Sequence, residues 1–362
     1  MPSPAALLHR QPIAQRIDAL LDLAKQHAER FCSPDAWLAR QRYLAQHPTS
    51  IVVMKCMDGR IHIPHATRTP LGIITPFRNL GGFFDLGWPY LGELITESVL
   101  QAADRGRATL LLITYHFSSG HHARGCAGFN CDTEAAKAHA YAIAQQAGEL
   151  FGHDHQQVYP LVCGFETDSD AMILHGQGGE MLDIRDWIDR QASDLPATLA
   201  SVCPDMPDDI QRDLLPLLVG NMAHVSELSG VARALEIEHR EWVICIGRGF
   251  DFLHLPNTAL IIGPYGPDLA APIATAASII DANMRAGRIP DDGFMLLAST
   301  PYQHSGVDRA RAALKSRFLS DFAEQVIRHH HPRLAEKMRR HTAVVHWPTR
   351  RMDSLDPPST SN

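Results

Sequence analysis

Residues 50 to 60 of the chain are "SIVVMKCMDGR". The β-branched and apolar run is typical of a short buried strand. The strand ends in Cys56, with Asp58 two residues later and Arg60 two residues after that. A strand that serves only packing needs none of these three side chains. Because ligands bind at the carboxyl ends of strands in open parallel sheets, we expect functional chemistry at this point.

Strand and helix patterns alternate after this first strand. Apolar runs predict strands at residues 71–75, 108–116, 159–165 and 171–176, and helical periodicity predicts helices at 92–107 and 133–151. Asp132 stands directly before the second helix, where an aspartate caps the first turn. The run at 108–116 is apolar on both faces, as in a strand covered by helices on each side. The pattern predicts an α/β unit with a mostly parallel sheet.

The same order of elements returns later in the chain. Corresponding segments lie at residues 242–247, 257–263, 271–288 and 293–300. They follow the first set after about 180 to 190 residues, which indicates a degenerate internal repeat. The first strand of this second copy continues into "GRGFD", so no cysteine ends it. We therefore predict a second copy without a metal site.

These patterns divide the chain into five predicted parts. They are a short helical N-terminal segment (1–48), a catalytic metal-binding α/β domain (49–190), a helical connection (191–240), a degenerate second α/β domain (241–350) and a flexible tail (351–362).

Composition excludes several classes of protein. The 362 residues carry 33 Lys+Arg against 40 Asp+Glu, a net charge of -7, without a basic block that would follow a phosphate backbone. No apolar run approaches the roughly 20 residues of a membrane span, and charges interrupt the N-terminal hydrophobic pattern, unlike a signal peptide. The seven cysteines are odd in number and irregular in spacing, unlike a secreted disulfide framework. We expect a cytoplasmic protein that binds neither nucleic acid nor membrane.

Two cysteines and one histidine are placed as metal ligands. Cys56 ends the first predicted strand, His116 ends the third, and Cys126 lies ten residues after His116. Two thiolates and one imidazole suit Zn²⁺ and leave a fourth tetrahedral position for water, as in catalytic zinc sites. His121 and His122 are nearer Cys126 in sequence and compete for the imidazole position. His116 is preferred because it lies on a rigid strand end.

Asp58 and Arg60 are the candidate catalytic pair. A carboxylate two residues after a ligand can accept a hydrogen bond from zinc-bound hydroxide, and an arginine can clamp that carboxylate and keep it ionised. The competing interpretation is a plain turn, because Asp-Gly is a strong turn signal. Both interpretations can hold together.

Cys131 is a further candidate thiolate, although a structural role is the more ordinary one.

These residues resemble a known family. The segments "CMDGR" (56–60), "FRNLGG" (77–82), "YHFSS" (115–119), "GCAGF" (125–129) and "ETDSDA" (166–171) resemble the β-class carbonic anhydrases, and most closely the carboxysome shell carbonic anhydrases. In that family, a metal-free second domain follows the catalytic one. The resemblance implies that Cys56, His116 and Cys126 bind zinc, and that Asp58 and Arg60 form the catalytic dyad.

The implied activity is the reversible hydration of carbon dioxide to bicarbonate and a proton. The alternatives are a zinc enzyme that acts on another small electrophile, or a catalytically silent assembly protein. The resemblance also implies a homo-oligomer, a dimer or larger, with carboxysome components as candidate partners. The expected location is the cytoplasm, with the carboxysome interior as the alternative; the shell enzymes are tied to that interior by a long N-terminal region, and about 48 residues precede the catalytic unit here.

Overall fold

The computed structural model describes residues 8–153, 156–230, 238–253 and 255–356. Two helices, α1 (Ile13–Cys32) and α2 (Pro34–Gln46), precede the first strand. The predicted helical N-terminal segment is confirmed for these residues, and its first seven residues lie outside the described ones. Within the described part of the chain, no helix combines the length and apolar character that a membrane crossing requires.

The first sheet contains six strands. They are β1 (Ser50–Cys56), β2 (Ile74–Asn79), β3 (Thr109–Phe117), β4 (Val158–Glu166), β5 (Ala171–His175) and β6 (Met181–Asp183). Their order is β2-β1-β3-β4-β5-β6. Strands β1 to β4 pair in parallel, and β5 and β6 are added antiparallel at one edge. The predicted mostly parallel sheet is confirmed.

The second sheet contains five strands. They are β7 (Val243–Gly247), β8 (Ala259–Ile262), β9 (Phe294–Tyr302), β10 (Met338–His346) and β11 (Arg351–Ser354). Their order is β11-β10-β9-β7-β8, and only β11 runs antiparallel to its neighbour. Strand β7 therefore lies between β8 and β9 in the same way as β1 lies between β2 and β3.

Helices cover both sheets. After α2 they are α3 (Ile63–Ala66), α4 (Pro89–Ala103), α5 (Thr133–Phe151), α6 (Leu195–Val202), α7 (Asp208–Leu228), α8 (Ala270–Arg285), α9 (Val307–His330) and α10 (Pro332–Ala335). The predicted helix at 133–151 is confirmed, and the Asp132 carboxylate accepts a hydrogen bond from the Ala135 amide at its start. Helices α6 and α7 lie in the predicted helical connection, of which residues 231–237 lie outside the described ones.

Alternate residues of β1 face different cores. Val52 and Met54 pack with α4 and α5, whereas Ile51 and Val53 belong to a second core. That second core continues through α7 into the buried strands of the second sheet. Because side chains alternate along a strand, an apolar strand is buried on both faces. The two sheets therefore share one continuous core.

Backbone hydrogen bonds join the two sheets at the turn after β1. The Asn257 amide donates to the Gly59 carbonyl at 2.9 Å, and the Ile261 amide donates to the Met57 carbonyl at 3.1 Å. A Cβ atom at Gly59 would lie 2.7 Å from the Ala259 carbonyl oxygen. Only glycine permits this close approach, so the "MDGR" turn is fixed against the second sheet.

Asn221 of α7 is expected to be a large single contributor to stability. Its fully buried side chain donates to the Ala66 and Asp170 carbonyls and accepts from the Met172 amide. Asn221→Leu would leave three buried backbone groups unpaired, at a cost of about 1–3 kcal/mol each, so we expect a loss of about 3 kcal/mol or more in the free energy of unfolding, measured by urea titration. Val219→Ala, at an exposed position on the same helix, should change it by less than about 0.5 kcal/mol.

Two sequence-based boundaries differ from the structure. Strand β2 begins later than the predicted 71–75 and continues through Pro76; a proline is tolerated because β2 is an edge strand.

The predicted flexible tail at 351–362 is wrong for residues 351–354, which form β11. Its polar sequence is typical of a solvent-facing edge strand rather than of a frayed end. Residues 357–362 lie outside the described ones.

Candidate metal centre

The three predicted ligands converge at the carboxyl ends of two neighbouring strands. Cys56 is the last residue of β1, His116 lies near the end of β3, and Cys126 follows in the next loop. Because β1 and β3 are adjacent and parallel, their ends meet at one edge of the sheet. The two Sγ atoms are 3.9 Å apart, and the two sulfurs and one histidine nitrogen all lie within 4.8 Å of one another. All three residues are buried.

The donor set fits a zinc ion. Tetrahedral zinc with Zn–S bonds of about 2.3 Å places two sulfurs about 3.8 Å apart, close to the observed 3.9 Å. Both ring nitrogens of His116 are buried, and neither has a hydrogen-bond partner among the described residues. Buried polar groups are ordinarily satisfied, and a metal bond would satisfy one of these nitrogens.

The two cysteines share a proton when no cation balances them. The Cys126 thiol donates to the Cys56 sulfur, which lowers the pKa of Cys56 well below its usual value and raises the pKa of Cys126. His116 also lowers the pKa of Cys56. Two adjacent buried thiolates need a positive charge between them, as a divalent cation provides.

His121, His122 and Cys131 do not join this group. His121 and His122 are exposed, whereas His116 is buried beside both sulfurs. Cys131 is half-buried. The preference for the strand-end histidine therefore agrees with the geometry.

Asp58 and Arg60 form a closed pair beside the ligands. The Arg60 amide and Nε donate to Asp58 Oδ1 at 2.8 and 3.1 Å, and Arg60 Nη2 donates to Oδ2 at 2.6 Å. Arg60 Nη2 also donates to the Arg124 carbonyl at 2.9 Å, which anchors it to the loop that carries Cys126. Asp58 Oδ2 lies 3.8 Å from His116 Nε2.

The charge of Asp58 is fixed by its neighbours. Burial opposes ionisation, but the Arg60 guanidinium, with His239 and His116, outweighs it and holds the pKa of Asp58 well below its usual value. An ionised carboxylate can only accept hydrogen bonds. The predicted turn is also present, since the Ile61 amide donates to the Asp58 carbonyl at 3.4 Å. Turn and functional pair therefore coexist.

Sequence reasoning missed two residues of the site, His239 and Glu241. His239 Nε2 lies 3.9 Å from Asp58 Oδ2, and His239 Nδ1 lies 3.0 Å from the fully buried carboxylate of Glu241. Burial disfavours the charged imidazole, yet Glu241 outweighs it and raises the pKa of His239. One signal in the sequence could have indicated them. Glu241 stands directly before the apolar strand "WVICIG", where its carboxylate is expected to be buried, and a buried charge needs a partner.

No protein-family model matches the sequence, and no curated protein matches it closely enough to count as a relative. The chemistry of the site is therefore the basis for assigning a function.

Proposed function

We propose that this protein is a zinc-dependent carbonic anhydrase of the β-class type, which interconverts carbon dioxide and bicarbonate. The observation that carries the proposal is the juxtaposition of two sulfurs and one imidazole with an arginine-clamped carboxylate. The resemblance of the five sequence segments supports it, as does the recurrence of the strand order in a second sheet.

Three side chains would hold the ion. Cys56, His116 and Cys126 supply three donors, which leaves the fourth tetrahedral position open, as in catalytic sites. Zinc bound there would lower the pKa of a water molecule from about 15.7 to near 7 and so supply hydroxide at neutral pH.

Asp58 orients the nucleophile in this proposal. Because Arg60 keeps it ionised, Asp58 would accept a hydrogen bond from the hydroxide that zinc supplies and so hold a lone pair of the hydroxide oxygen towards carbon dioxide. Arg60 Nη2 donates both to Asp58 and to the Arg124 carbonyl, which restricts rotation of the Asp58 carboxylate. Such a fixed orientation lowers the entropic part of the barrier.

His239 is placed to move the proton released when water is consumed. Glu241 fixes the imidazole through Nδ1, and Nε2 faces Asp58. The side chain of His239 is 21% exposed, so it contacts both the site and solvent. A histidine is suited to this step because its protonation changes near neutral pH.

Replacement of His239 by alanine tests this role. We expect kcat to fall by about a hundredfold, which is the lower end of the range for loss of a general acid or base. Zinc should be retained, and imidazole buffer should partly restore kcat. The measurement is stopped-flow carbon dioxide hydration at several buffer concentrations. His341→Ala, which removes a half-buried histidine 3.6 Å from Asp356 in the second sheet, should leave kcat unchanged. Unchanged kcat in His239→Ala would exclude the role.

Hydration of carbon dioxide by the zinc-loaded chain tests the function itself. We expect rapid hydration that disappears on zinc removal and returns on zinc addition. A chain that binds zinc at these ligands but does not accelerate hydration would exclude the assignment. The remaining candidates would then be a zinc enzyme that acts on another small electrophile and a catalytically silent assembly protein. Self-association and association with carboxysome components stay predictions of the resemblance.

A further inference from the structure

A small cavity lies in the second sheet at the position that corresponds to the metal centre of the first. Gly247 is the last residue of β7, as Cys56 is the last residue of β1, and each strand is central among its parallel neighbours. The cavity has a volume of about 30 Å³. Its lining includes Arg78 from the end of β2, Arg248 from the turn after β7, and Tyr265 from the segment after β8.

The lining carries an excess of positive charge. Arg78 and Arg248 form no ion pair or hydrogen bond through their side chains with the described residues; Arg248 contacts only the Phe77 ring, with its guanidinium carbon 5.6 Å from the ring centroid. The one acidic residue of the lining, Asp251, is engaged by Arg350 at 3.0 Å. Asp251 also attracts Arg78, so Arg78, Arg248 and Arg350 share one carboxylate and positive charge is in excess around the cavity.

Tyr265 adds a neutral donor. Its ring is buried, and burial raises the pKa of the phenol, so the hydroxyl keeps its proton. The hydroxyl forms no hydrogen bond with the described residues. From this position the hydroxyl can donate a hydrogen bond to an oxygen atom of a ligand in the cavity.

Two glycines allow these groups to approach. A Cβ atom at Gly263 would overlap the Tyr265 ring, and one at Gly247, where φ is +117°, would overlap the Ser299 carbonyl oxygen. Any other residue at Gly263 would push the tyrosine away from its place. The strand ends of the second sheet are thus shaped around this space.

We propose that this cavity binds a small oxoanion, held by Arg78 and Arg248 and by a hydrogen bond from Tyr265. Guanidinium groups match the geometry of oxoanions and bind them through charge-assisted hydrogen bonds. The volume is about twice the 10–15 Å³ that one water requires, so the cavity suits an anion of a few heavy atoms. Bicarbonate and inorganic phosphate share this chemistry. The second sheet has an anion site where the first has a metal site.

Calorimetric titration of the full zinc-loaded chain with sodium bicarbonate or sodium phosphate tests the proposal, with sodium chloride at equal ionic strength as the blank. We expect saturable binding of at least one oxoanion, weakened about tenfold or more in Arg248→Gln, since a charged hydrogen bond is lost. Arg309→Gln is the matched control, because Arg309 also lies over an aromatic ring, Tyr302, with its guanidinium carbon 5.9 Å from the centroid, outside the cavity.

Binding that depends on Arg248 but not on Arg309 supports the proposal. The anion that binds more tightly, bicarbonate or phosphate, is then identified as the ligand of the cavity. An anion bound at zinc would not depend on Arg248, so binding that survives Arg248→Gln unchanged overturns the proposal, as does the absence of binding beyond the chloride blank. Tyr265→Phe provides a second variant of nearly equal volume, and it should also weaken binding.

Discussion

Asp58→Asn is expected to lower kcat/KM for carbon dioxide hydration by about a thousandfold while zinc content stays unchanged. Asparagine keeps the shape of the side chain but loses the charge and presents an amide to the nucleophile's proton. The orientation that Asp58 provides is then lost, and removal of one such preorganised group typically costs about 10²–10³ in rate. The measurement is stopped-flow hydration, with zinc per chain determined on the same samples.

The chain contains a closely matched control. Asp183 is clamped by Arg185 in the same way, with the Arg185 amide donating at 2.9 Å, Nε at 3.0 Å and Nη2 at 2.6 Å. This pair lies at the β6 edge of the sheet, four strand positions from β1, and it is joined to the segment after β3 by Arg185 Nη1, which donates to Ser119 at 3.0 Å. Asp183→Asn should therefore leave the rate unchanged. Loss of zinc in Asp58→Asn, or equal losses of activity in both variants, would contradict the assigned role.

Cys126→Ser is expected to remove both zinc and activity. Serine cannot supply a thiolate, and the remaining pair, Cys56 and His116, is too small a set to hold zinc against a chelator. Mutation of a residue that only hydrogen-bonds to a zinc ligand lowers zinc affinity about 10–100-fold. Loss of a ligand itself should therefore lower zinc affinity by at least about a hundredfold. The measurement is zinc retention during titration with a competing chelator.

Cys131→Ser is the control for this variant. Cys131 lies five residues after Cys126 in the same loop region and was the other candidate thiolate. The structure places it outside the ligand group, so zinc affinity and activity should persist. Zinc loss in Cys131→Ser with retention in Cys126→Ser would reverse the ligand assignment.

Most of the site could be predicted from sequence because its residues follow strand ends. Cys56, Asp58 and Arg60 lie within five residues, and parallel pairing of β1 with β3 brings His116 to the same edge. A continuous apolar run followed by polar residues is a local signal, and the carboxyl ends of adjacent parallel strands meet by geometry. The site was therefore predictable without knowing the arrangement of the two sheets.

The residues that were missed depend on contacts between distant parts of the chain. His239 reaches Asp58 only because the turn at Gly59 packs against the second sheet. No local pattern encodes that approach. For the same reason, the sequence could not show that Arg78, at the end of β2, borders a cavity of the other sheet. Sequence periodicity describes elements well, but it carries little information about their long-range packing.

Zinc-edge X-ray absorption spectroscopy on the zinc-loaded chain, with the metal content of the same sample, tests the metal centre directly. We expect one zinc per chain with two sulfur ligands, one imidazole nitrogen and one further light atom. A chain that takes up no zinc, or zinc bound without sulfur, would contradict the proposed metal centre.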